Sequence, residues 1–122
     1  MDLSIVTRPN GIATIVDVKG EVTLRNAPVL LKILMDLLKV KRTPRVIVNL
    51  TDVKYIDSAG VACLVEALKA SRDLKLSFAL FGLTSVAKEV FHLTRLITIF
   101  EVHATEEEAL RGAQPASSGA SA

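Results

Sequence analysis

Val46-Ile47-Val48-Asn49-Leu50-Thr51-Asp52-Val53-Lys54-Tyr55-Ile56-Asp57-Ser58-Ala59-Gly60 is the stretch on which the fold turns. Its first five residues are short, continuous and β-branched, as expected of a central strand covered on both faces or nearly so. The Asp-Ser-Ala-Gly step then hands over to a helix beginning at Ser58 or Ala59. That step places a hydroxyl on a helix N-terminus, where unpaired backbone N–H groups and the positive dipole end favour an oxygen or a phosphate.

Working outward, residues 3–8 and 12–20 are extended segments around Pro9-Asn10-Gly11, a turn signal, and predict a hairpin. Asn26 reads as an N-cap with Pro28 tolerated in the first turn. Leu30, Leu34, Leu37 and Leu38 recur at helical spacing until Pro44. Beyond the second helix, Leu76 to Phe81 and Gly82 repeat the strand-then-turn pattern. Thr84 or Ser85 opens a third helix with Val86, Val90 and Leu93 on one side, and Ile97-Thr98-Ile99-Phe100 reads as a short strand. Thr105 to Arg111 closes as a helix with acids in its first turn. The order β-β-α-β-α-β-α-β-α predicts an α/β domain, a mixed sheet of about five strands with right-handed crossovers and about four helices packed on it.

The chain has 122 residues, half of them hydrophobic, enough for one core. The expected domain spans residues 1–111. Residues 112–122 have nothing large to bury and read as a low-complexity tail, its serines Ser117, Ser118 and Ser121 without an assigned role. A formal charge of +2 with no basic run or aromatic set argues against nucleic-acid binding. The apolar stretch from Ala27 to Val40 is broken by charges and too short to span a bilayer. Cys63 is alone, and Met1-Asp2-Leu3-Ser4 has no secretory character, so the expected location is cytoplasmic.

On the second helix Val61, Leu64, Val65 and Leu68 follow the i, i+3, i+4, i+7 pattern of a core stripe. Turning 100° per residue puts Ala59, Cys63, Glu66, Ala67 and Ala70 opposite that stripe, with Ala62 on its flank. A face of small residues beside Ser58 suits close docking of a partner, although alanine is also simply a good helix former. Phosphate on Ser58 would put about −1.5 to −2 charge at the edge of that face and oppose docking. Asp57 reads as the cap of this helix rather than as a group orienting the hydroxyl.

Catalytic readings lack parts. A nucleophilic Ser58 needs a base and an oxyanion hole, and neither His92 nor His103 lies near it in the sequence. Cys63 has no partner at metal-ligand spacing, and the glycines form no phosphate-cradling loop. The expectation is an interaction module without cofactors or catalytic residues of its own.

The run from Val46 to Val61 closely resembles the signature of STAS domains, in particular the bacterial anti-sigma factor antagonists. Gly20-Glu21-Val22, Leu80-Phe81-Gly82-Leu83 with Val86, Leu96 to Phe100, and Glu107-Glu108-Ala109-Leu110 extend the resemblance over roughly residues 3 to 111. It implies a partner-switching protein that binds an anti-sigma factor, itself a serine kinase of the histidine-kinase-like ATPase fold, and frees a sigma factor. Ser58 matches the family's phosphorylated serine. In that scheme ATP and magnesium belong to the kinase, a metal-dependent serine phosphatase restores the hydroxyl, and this chain is the substrate. With the small-residue face read from helical geometry added to this motif, Asp57, Ser58, Ala59, Gly60, Ala62, Cys63, Glu66, Ala67 and Ala70 are the expected partner-binding set, on a monomer or weak dimer. Two departures stand near the expected phosphorylation loop: Thr23 where many members have an acid, and Asn49 where many have an aspartate. Ala59 replaces a frequent Ser or Thr. STAS-like domains also occur in lipid-transport and transporter regulatory subunits, so the alternative reading is a partner-switching or regulatory subunit for a non-sigma output such as secretion, phosphatase control or lipid transport.

Overall fold

In the computed structural model, which describes residues 3–112, the apolar runs line up in one five-stranded sheet in their order along the chain. β1 (Leu3–Asn10) and β2 (Ala13–Val22) form an antiparallel hairpin that turns at Gly11, whose φ of 63° suits glycine. β3 (Arg45–Ile56), β4 (Ser77–Phe81) and β5 (Glu101–His103) then add in parallel. Helices α1 (Ala27–Met35), α2 (Ser58–Asp73), α3 (Ser85–Leu93) and α4 (Glu106–Arg111) occupy the connections and the end of the described chain. α1 runs on into a π-helical turn, Asp36–Val40. The element order and the mixed α/β sheet are those the sequence predicts.

The period-2 alternation of strands sorts β3 between two cores. Val46, Val48 and Leu50 face a large core with Leu30 and Leu34 of α1, Leu64 of α2 and Phe91 of α3. Ile47 faces the other side, with Ile15, Ala79, Phe81 and Ala109 of α4. Burying one Leu or Ile contributes about 1.5–3 kcal/mol, so the three-helix face supplies most of the hydrophobic stabilisation.

The α4 face is tied by polar groups as well. Arg45 is 1% exposed, and its guanidinium donates to Ala109 O (2.7 and 3.2 Å), to Ser77 Oγ and to the Glu101 carboxylate. His103 Nε2 lies 2.6 Å from the same carboxylate. Burial opposes ionisation of Glu101, but the hydrogen bonds from Arg45 and His103 outweigh it and hold this carboxyl below its ordinary range. At the other end of α4, Arg8 bridges Glu106 (2.8 Å) and Asp17.

Three local expectations are corrected. Ile97–Ile99 is a 3₁₀ turn, and strand pairing starts only at Glu101, opposite Ala79. Phe100 explains the difference: its ring packs edge-on against Phe91 at 5.5 Å, which draws the chain into the core before it reaches the sheet. On α3 the buried residues are Ala87 and Phe91, while Val86 and Leu93 are exposed, because the large Phe91 ring sets which face turns inward. Asn26 stands at the N-cap of α1 without capping it; its side chain accepts from Thr23 N (2.9 Å) and donates to Glu21 O (2.8 Å), shaping the loop instead. Of the tail expected over residues 112–122, Gly112 stands at the C-cap of α4 and residues 113–122 lie outside the described residues.

Candidate functional site

The Ser58 region is assembled by β2 and β3 ending together. Shifts of register around Lys19 and Gly20, where Gly20 has φ 113°, bring Val22 opposite Ile56. The next residue, Asp57, then joins three segments: its N–H donates to Val22 O (3.1 Å), Oδ1 accepts from Gly60 N (2.9 Å), and Oδ2 accepts from Leu24 N (3.0 Å). The capping role expected of Asp57 is therefore present, and the same carboxylate also fastens the loop between β2 and α1 to the start of α2.

Gly60 is required by packing rather than by backbone angle. A Cβ there would lie 2.6 Å from Ile56 Cγ1, 2.9 Å from Val22 Cγ1 and 3.0 Å from Val22 O. Its absence lets α2 start directly over the strand ends. Ser58, the first residue of α2, is exposed, with its hydroxyl at the dipole's positive end.

The structure divides the residues expected to form the docking face. Ala62 and Glu66 are exposed and Ala59 is half-buried, whereas Gly60, Cys63, Ala67 and Ala70 are buried in the large core. The reason is that α2 packs against two neighbours, the sheet through Val61, Leu64 and Leu68 and helix α1 alongside. Gly60 is closed off by Val22 and Ile56, and Cys63, Ala67 and Ala70 belong to the core, so these four do not make an open surface. Cys63 illustrates the consequence, since burial, with a smaller contribution from Glu66, pushes its thiol up to about 12 and keeps it neutral.

What remains open is a groove of about 250 Å³ between the two helices. Leu24, Ala27, Pro28 and Leu31 form one wall, and Ala59, Ala62, Cys63 and Glu66 form the other. Leu24 is 73% exposed and was not singled out by sequence patterning. Its signal was a large apolar residue in a loop, just ahead of Asn26 and out of phase with the α1 stripe.

Thr23 lies in the loop fastened by Asp57, with its N–H and carbonyl engaged by Asn26 and Ala27. Asn49 does not neighbour Ser58. It sits in mid-β3 on the α4 face, where Nδ2 donates to Asp17 Oδ1 (2.8 Å), because six residues of strand separate it from Ile56 and its position in the alternation points it away from α2. His92 is exposed on α3, and His103 is engaged with Glu101 on β5. Among the described residues no three His, Cys, Asp or Glu side chains are grouped to hold a metal, and no helix is long and apolar enough to cross a membrane.

This geometry has known counterparts. The family model described as the STAS domain matches residues 4–109. The anti-sigma-B factor antagonist of Listeria monocytogenes is 33% identical over 91 residues, covering 75% of this chain and 79% of the relative. Among solved structures, a Thermotoga maritima protein provisionally assigned as an anti-sigma factor antagonist superposes with a TM-score of 0.84 at 25% identity, covering 89% of this chain and 93% of its own. The Bacillus cell-fate determinant SpoIIAA in its phosphorylated form shares the fold at a TM-score of 0.71 and 16% identity, covering 91% of this chain and 100% of its own. With its motif, strand order and family match in agreement, the chain belongs to the STAS domain family.

Proposed function

We propose that this protein is an anti-sigma factor antagonist whose partner is an anti-sigma factor with serine-kinase activity, and that phosphorylation of Ser58 switches the interaction off. The observation that carries this reading is an exposed serine on the first turn of α2, one residue from an apolar groove walled by Leu24, Pro28 and Ala62. The Listeria relative supports the antagonist role through its name.

Docking an apolar side chain into the groove would release water from Leu24 and the alanines at little cost in side-chain entropy. Phosphoryl transfer would join Ser58 Oγ to the γ-phosphorus of the kinase's ATP, release ADP and lose the hydroxyl proton. The dianion then lies beside the Asp57 carboxylate and at the groove's mouth, where docking would have to strip its water. Asp57 is itself held by Gly60 and Leu24, so the added charge acts on the surface with the fold kept. ATP and magnesium come with the kinase, a metal-dependent phosphatase reverses the modification, and a sigma factor is free while the unmodified chain holds the kinase partner.

The test is titration of the purified kinase partner with the native chain, Ser58→Ala and Ser58→Asp. Ser58→Ala is expected to bind within about threefold of native and Ser58→Asp at least tenfold more weakly, a difference of about 1.4 kcal/mol. Equal affinities for the two variants would rule out the electrostatic switch.

A further inference from the structure

A second concavity, of about 640 Å³, runs between the sheet edge and the first helix and shares no lining residue with the groove beside Ser58. One wall is β1, which has β2 on one side and no strand among the described residues on the other. An edge strand of this kind presents unpaired backbone N–H and C=O groups to solvent. Its alternate residues Ile5 and Thr7 line the groove. The opposite wall comes from Ile33 and Met35 of α1 and Val40 of the π-helical turn, Val40 being 72% exposed. Short π-helical turns recur at functional sites.

The rim is basic. Lys32, Lys39 and Lys41 line it against one acid, Asp36, and Asp36 already lies 4.0 Å from Lys41. Lys32 and Lys39 thus face the groove with no acid left over among the described residues of its lining.

An edge strand beside a helix-walled groove is the geometry of strand addition: the backbone of an extended peptide pairs with the edge, and every second side chain enters the groove. We propose that β1 and α1 form a docking site for an extended segment of a partner protein, added as a sixth strand, whose groove-facing residues, every second one, include both apolar and acidic side chains. The apolar side chains pack on Ile5, Ile33 and Met35, and the carboxylates meet the lysines. Because the site is separate from the Ser58 groove, it is open whether or not Ser58 is modified.

The experiment uses the full chain, isotope-labelled, and two fluorescent heptapeptides, an acidic one, Thr-Val-Thr-Glu-Thr-Val-Thr, and a basic one with lysine in place of the glutamate, so that valine and the charged residue share one face of the added strand. The acidic peptide is expected to bind saturably, to shift and protect amides within residues 3–10, and to bind at least tenfold more tightly than the basic one. Lys32→Glu combined with Lys39→Glu is expected to weaken it at least tenfold, and Ser58→Asp to leave it within twofold. Should the double lysine variant misfold, the two peptides compared on the native chain make the same charge test. Equal binding of both peptides overturns the proposal, as do shifts confined to the Leu24–Ser58 side. Protection of β1 that grows with protein concentration alone also overturns it, since the occupant is then a second copy.

Discussion

Gly60 is the residue that lets α2 begin where it does, and its tolerance to change is the sharpest residue-level prediction. Its missing Cβ would fall 3.0 Å from a backbone oxygen, Val22 O, which cannot move like a side-chain tip. Gly60→Ala gains helix propensity worth about 1 kcal/mol, but this is set against overpacking that costs about 1–3 kcal/mol. The net expectation is a destabilised protein, measured as a lower denaturation midpoint at unchanged slope; a midpoint equal to or above native would show that α2 can lift off without penalty. Asp57 was legible in the sequence as a cap, because a short acid before a helix has few other uses. Its second bond, to Leu24 N, was not legible, because the two residues lie 33 positions apart and meet only when β2 and β3 pair.

Among the elements, α4 is the one held chiefly by polar contacts. It has six residues, too few to be stable alone, and it is clasped by Arg45 at its last turn and by Arg8 at its first. Removing Arg45 strands the Ala109 carbonyl and leaves Glu101 without its main cation. Breaking a buried pair from one side costs about 3–5 kcal/mol, and because Glu101 is 38% exposed the expected loss for Arg45→Ala is at the low end of that range. Limited proteolysis is expected to cut near α4 first, with the Ser58 region still folded. Equal protease resistance of the variant and native chains would show that Ala109 and the sheet suffice. The clasp was invisible in the sequence, because Arg45 and Ala109 lie 64 positions apart and meet only once the sheet and α4 are assembled.

Across the whole molecule, the charged groups place the loss of stability on the acid side. The Arg8 and Asn49 hydrogen bonds lower the pKa of Asp17 below 3.8, against the opposing effect of burial, and Arg45 and His103 do the same for Glu101. A carboxyl with a depressed folded pKa adds stability that is complete above its unfolded pKa and is lost as pH falls through the folded one. Stability is therefore expected to be level from neutrality down to the ordinary carboxylate range and to decline below it. The decline is expected to be shallower in Asp17→Asn and Glu101→Gln than in the native chain, as read from denaturation midpoints against pH. Parallel profiles in all three proteins would assign the acid loss to other groups.

The sequence alone determined the element order, the mixed sheet, the leucine stripe of α1 and the position of Ser58 at a helix start, because these follow from local periodicity, turn residues and capping chemistry. Only the tertiary structure decided which small residues of α2 are surface. A helical wheel assumes one buried side, and α2 packs on more than one neighbour, so Ala67 and Ala70 went into the core and Cys63 to the buried floor of the groove, while Ala59 and Ala62 stayed at its wall. The same holds for Asn49, whose face and distance from Ser58 depend on strand alternation within a paired sheet. Leu24 gains its place in the site only when Asp57 draws its loop against α2.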